Sequence, residues 1–161
     1  MGEVVLVLVE DSPAFSAKLA KQLADQFGPQ WAPALLRRES LASRIDSSVD
    51  CQVHRADCLA SCQELLSSIK VDMVVADVHL PDGSFPDWAA SNRSLLSGKA
   101  VIMYTAYLNK SLKQKCSHLD LPYQIIELSH DLTELFQAIK EQIQAVEEQL
   151  ERVRHGESKD R

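Results

Sequence analysis

The sequence predicts a doubly wound α/β domain on a five-stranded parallel sheet, and three observations carry that prediction. The runs VVLVLV, DMVVA and AVIMY are apolar throughout instead of alternating, which is the pattern of strands buried on both faces. Amphipathic segments separate such runs along the whole length, with no internal repeat and no low-complexity linker. At 161 residues, 45% hydrophobic and 25% charged, the chain is large and apolar enough to bury one core without staples.

The elements follow in order. Residues 3–9 read as the first strand. Asp11, Ser12 and Pro13 then supply a cap and a first-turn proline, and Phe15, Leu19, Leu23 and Phe27 recur at near-helical spacing. Gly28-Pro29 ends or bends that helix. In the next stretch Trp31, Leu35, Leu36, Leu41 and Ile45 suggest one more amphipathic helix. Residues 51–56 read as the second strand, 58–69 as a helix and 71–76 as the central strand. The segment HLPDGSFPD is turn chemistry throughout. A short helix over 86–97, a strand over 100–104, a weak helix over 108–117 and a strand over 123–128 complete the alternation.

The final helix is the most regular element. Leu132, Phe136, Ile139, Ile143, Val146, Leu150 and Val153 follow a heptad spacing. A strand of five residues spans about 17 Å, whereas a helix of 22 residues spans about 33 Å. The last turns, from residue 146 on, are therefore expected to project and to pair through 139–154 with a second copy or a helical partner, the alternative being a single frayed helix laid on its own domain. The tail HGESKDR reads as a solvated end.

Each polar group of interest stands where an apolar run stops: Glu10-Asp11 after the first, Asp77 after the central one, Thr105 after the next. In open parallel sheets ligands bind outside the carboxyl ends of the strands, so these groups should converge on one crevice. Taken singly, Asp11 serves equally as a helix cap, Asp77 as a loop carboxylate and Thr105 as a strand-end hydroxyl. Their joint order on these elements is the specific signal.

On these residues the chain resembles the receiver domain of two-component response regulators, over roughly residues 3–145. Glu10-Asp11 matches the family's acidic pair. VVADVHLPDG matches its phosphoacceptor segment, with the acceptor at Asp77, and Thr105-Ala106 matches its hydroxyl and small residue. The resemblance implies a flavodoxin-like receiver fold, with 29–50 as an insertion between the first helix and the second strand. It implies Mg2+ held by Glu10, Asp11, Asp77 and the backbone carbonyl of His79, and a phosphoryl hydrogen bond from Thr105. It further implies a phosphate donor that is a histidine kinase or a histidine phosphotransfer protein. The expected role is a stand-alone, non-enzymatic signalling module, with a phosphorylation-independent pseudo-receiver as the alternative.

One family fixture is missing. The lysine expected after the last strand aligns with Leu128, or with Glu127 on a one-residue shift, and Ser129 takes the following proline's place. The switch aromatic expected on that strand is replaced by Ile125, with Tyr123 two residues early.

Composition excludes other classes. The net charge of −6 argues against a nucleic-acid footprint. No apolar window reaches 18 residues and no leader pattern opens the chain, so a cytoplasmic protein without a membrane span is expected. Cys51, Cys58, Cys62 and Cys116 form no CxxC pair and are expected as small apolar residues, despite His54 one turn before Cys58. A metal-dependent phosphatase would need an acid two residues after Asp77, where His79 stands.

Overall fold

The computed structural model describes residues 3–27, 41–43, 50–128, 132–154 and 156. Its strands are β1 (Glu3–Val9), β2 (Leu41–Ser43), β3 (Asp50–Ala56), β4 (Met73–Asp77), β5 (His79–Leu80), β6 (Gly83–Ser84), β7 (Ala100–Thr105) and β8 (Gln124–Glu127). Six of them form one sheet in the order β2-β3-β1-β4-β7-β8, while β5 and β6 pair as a separate hairpin. The five predicted strands run parallel, and β2 adds an antiparallel edge against β3.

That edge corrects one expectation. Leu41 lies on a strand, pairing with Val53, and not on the amphipathic helix read over this stretch. Trp31, Leu35, Leu36 and Ile45 lie outside the described residues, as does most of the 29–50 insertion.

The uninterrupted apolar runs are used on both faces. Val4, Leu6, Leu8, Met73, Val75, Ile102 and Tyr104 point into one core; Val7, Val9, Val74, Ala76, Val101 and Met103 point into the other. This two-sided burial is the reason those strands lack a polar face. The first core is closed by α1 (Pro13–Phe27), through Phe15 and Leu19, and by the C-terminal helix. The second is closed by α2 (Leu59–Ser68), α3 (Phe85–Ser91), α4 (Arg93–Leu96) and α5 (Lys110–Ser117), through residues such as Cys62, Phe85, Leu96 and Leu112. The helix read as continuous over 86–97 is two pieces, broken at Asn92, whose amide donates to the Trp88 carbonyl. The side chains of Leu23 and Phe27 lie outside what is described.

The C-terminal helix, α6, runs Thr133–Arg154. Its heptad seam serves the domain itself: Leu132, Phe136, Ile139 and Ile143 are buried, and Val146 and Leu150 are half-buried against the same core. The expectation that the helix projects from residue 146 and offers a seam from residue 139 is therefore corrected. Among the described seam residues only Val153 stands exposed, at 56%. Of the tail, only Gly156 is described.

The expected apolar use of the thiols holds for Cys62 and Cys116, whereas Cys58 is half-buried with its sulfur 3.3 Å from the Ser61 hydroxyl. Cys62 and Cys116 are buried, and burial pushes the Cys62 thiol up to about 12.

Candidate functional site

Glu10 follows β1, Asp77 ends β4, Thr105 ends β7 and Leu128 follows β8, so all four meet at the carboxyl edge of the sheet. A crevice of about 320 Å³ opens there, lined by Glu10, Asp11, Ser12, Phe15, Asp77, His79, Tyr104, Ala106 and Leu128. Ligand oxygens of Glu10, Asp11 and Asp77 lie within 4.8 Å of one another, the one such grouping of potential metal ligands among the described residues.

Local chemistry places each acid. Ser12, not Asp11, caps α1: its hydroxyl accepts from the Phe15 N–H at 3.1 Å. That leaves the exposed Asp11 carboxylate to the crevice. Glu10 is buried, and both its carboxylate oxygens are held. Oε2 accepts from the Ser12 N–H at 2.9 Å, and Oε1 accepts from the Tyr104 hydroxyl. Its main chain is tied as well, with N–H to the Ala56 carbonyl at 2.9 Å and carbonyl to the Arg55 guanidinium at 3.0 Å. Asp77 Oδ1 accepts from the His79 N–H at 3.2 Å.

The electrostatics follow from this crowding. Burial raises the Glu10 carboxyl above its ordinary range, opposed by the Tyr104 and Ser12 hydrogen bonds and reinforced by the charges of Asp77 and Asp11. Burial also pushes Asp77 up to about 6, with the nearby Asp11 charge adding to it. The Asp11 charge thus adds to the cost of ionising Glu10 and Asp77, which a bound cation would offset.

The loop after Asp77 is pinned from outside the crevice. Asp82 accepts from the main-chain N–H groups of Leu59 and Ala60 at 2.9 and 3.0 Å, capping α2, whose own N-cap residue Cys58 makes no side-chain cap bond. Gly83 bends the β5–β6 hairpin at φ +147°, and a Cβ there would lie 3.2 Å from Leu59 Cδ1. Asp82-Gly83, a turn signal in the sequence, thus fastens the loop after Asp77 to a helix.

The other side of the crevice is different. Thr105 is buried at the end of β7, but its hydroxyl is engaged by the Tyr107 main chain at 3.2–3.3 Å and does not line the crevice. Leu128 does line it, packed against the core. Glu127 instead turns to the loop after β7, accepting from the Leu108 N–H at 2.9 Å. Of Leu128 and Glu127, it is Leu128 that lines the crevice. Ile125 and Tyr123 both pack into the second core.

Sequence reasoning missed Tyr104, which reads as one more apolar strand residue in AVIMY. Its signal was present: a buried tyrosine hydroxyl needs a polar partner, and Glu10 on the same face was available.

No protein-family model and no curated protein matches the chain. Solved structures do. A CheY-like receiver domain protein from Methanospirillum hungatei superposes with TM-score 0.64 at 16% identity, over 92% of this chain and 99% of that one. The response regulator TrrA from Thermotoga maritima, in complex with Mg2+ and BeF, gives 0.61 at 16% identity, over 86% and 98%. A Burkholderia pseudomallei response regulator with a phosphorylated aspartic acid, calcium and citrate gives 0.59 at 13% identity, over 91% and 72%. The chain has the receiver fold, here with an added antiparallel edge strand.

Proposed function

We propose that the chain works as a response-regulator receiver, accepting a phosphoryl group on Asp77 with Mg2+ and signalling through protein contacts. The carrying observation is the grouping of Glu10, Asp11 and Asp77 within 4.8 Å at the ends of β1 and β4. Their hard carboxylate oxygens suit Mg2+, with Asp11 and Asp77 binding directly, Glu10 directly or through water, and the His79 carbonyl adding an oxygen. Such a cation would offset the charge on the phosphoryl oxygens. Asp77, ionised above about pH 6, supplies the attacking oxygen. Its new bond to phosphorus forms as the bond to the donor histidine nitrogen breaks, and the electron pair leaves with the donor. The Thr105 hydroxyl must exchange its Tyr107 contact for a phosphoryl oxygen, and that exchange would link Asp77 to the loop after β7.

Labelling with phosphoramidate or acetyl phosphate tests this directly. Label that needs Mg2+ and disappears in Asp77→Asn is expected; no Asp77-dependent label ends the proposal.

Leu128 in the crevice favours a second reading, a pseudo-receiver that binds its partner without phosphorylation. Partner affinity unchanged by Asp77→Asn would support it. The proposed pairing through α6 narrows to Val153 and its neighbours, because Ile139 and Ile143 are buried. Sedimentation of the intact chain beside Val153→Glu tests that pairing: a dimer lost in the variant supports it, and two monomers end it.

A further inference from the structure

We infer that Tyr104 is a positioning residue that tunes the acid crevice toward small divalent cations, by holding Glu10 so that it cannot offer both oxygens to one ion. The inference rests on the reading of Glu10, Asp11 and Asp77 as a divalent-cation site.

Tyr104 stands beside Thr105 but faces the other side of the sheet, paired in register with Asp77 on β4. Its ring is buried and stacks on Phe15 at 5.5 Å, which sets the direction of the hydroxyl. That hydroxyl donates to Glu10 Oε1, while the Ser12 N–H takes Oε2 at 2.9 Å. Ser12 is itself fixed as the cap of α1, and the Glu10 main chain is tied to β3 on both sides. Glu10 is therefore clamped at its backbone and at each carboxylate oxygen.

Cation chemistry turns that clamp into selectivity. Ca2+ takes six to eight oxygens at about 2.3–2.6 Å and commonly uses a carboxylate with both oxygens. Mg2+ takes six at about 2.0–2.1 Å, in strict octahedral geometry, and retains water ligands. A carboxylate with both oxygens already engaged serves through one lone pair or through a water, which suits Mg2+ and penalises Ca2+. The plainer role of Tyr104 would be to find a partner for a buried hydroxyl, and that role makes no distinction between cations.

Calorimetric titration of the full chain with Mg2+ and, separately, Ca2+ decides between them. Wild type, Tyr104→Phe and Glu10→Asp are compared, each checked by circular dichroism. Tyr104→Phe removes the hydroxyl, and Glu10→Asp withdraws the carboxylate from it, so one variant remains informative if the other misfolds. The expected result is a rise in Ca2+ affinity relative to Mg2+ of about fivefold or more in either variant. An equal change for both ions overturns the inference while the cation site stands. Wild type that binds neither ion, or binds without dependence on Asp11 and Asp77, overturns the site reading and the inference with it.

Discussion

The crevice has two unlike halves, although both are made from the carboxyl ends of neighbouring strands. At the ends of β1 and β4, Glu10 is held by the Tyr104 hydroxyl and the Ser12 N–H, Asp77 accepts from the His79 N–H, and the exposed Asp11 carboxylate lies beside them. Beneath β7 and β8, the wall is Ala106 and Leu128, and the two polar groups nearby serve the loop: Thr105 engages Tyr107, and Glu127 holds Leu108. The first half carries the carboxylate oxygens that the proposed cation and acceptor roles need. Among the described residues, the second half brings no positive group to the crevice wall. The two halves can therefore be changed independently, because each strand end contributes its own side chain.

Changing the apolar half should have the largest effect. In Leu128→Lys an ammonium would face the phosphoryl group, where a charge-assisted hydrogen bond contributes about 1.5–3 kcal/mol. The steady-state level of Asp77 label should then rise by roughly tenfold to a hundredfold, read by phosphate-affinity electrophoresis. An unchanged level would show that the two halves do not act on the same group.

The acid half should reveal itself next, in stability without metal. Asp77 holds its proton more tightly in the fold than in the unfolded chain, being pushed up to about 6 from the ordinary carboxylate range. That contribution is fully present below about pH 4 and is lost as pH rises through about 6. The shift corresponds to about 3 kcal/mol at most, and access of water to Asp77 reduces this to about 1 kcal/mol. Urea unfolding of the metal-free protein should show this loss between pH 4 and 6, and Asp77→Asn should flatten it. The raised Glu10 carboxyl acts in the same direction. Mg2+ should restore stability above pH 6 in wild type and not in Asp77→Asn; a pH-independent stability would mean the acids are not crowded.

The smallest expected effect lies in the loop. Glu127→Gln weakens an exposed bond to the Leu108 N–H and should cost about 0.5 kcal/mol, seen as faster amide exchange at Leu108 with little change in global stability. A large global loss would place Glu127 in the crevice half after all.

The strand ends and the acid cluster were readable from sequence for a physical reason. A parallel sheet buried on both faces demands unbroken apolar runs, and βα alternation brings their carboxyl ends to one edge, so Glu10, Asp11 and Asp77 had nowhere else to meet. What the sequence could not decide turns on register, competition and packing. Side chains alternate across a strand, so a single step separates Leu128 in the crevice from Glu127 on the loop, and Tyr104 toward Glu10 from Thr105 away from it. Ser12 and Asp11 are both ordinary helix caps, and only the folded geometry shows Ser12 taking that role and leaving Asp11 to the site. The heptad of α6 records an apolar stripe without naming what covers it, and the tertiary structure spends that stripe on the domain's own core. By itself, then, the sequence determined which chemistry gathers at the sheet edge. Only the tertiary structure decided which side chains hold it in place, because those contacts join residues far apart in the chain.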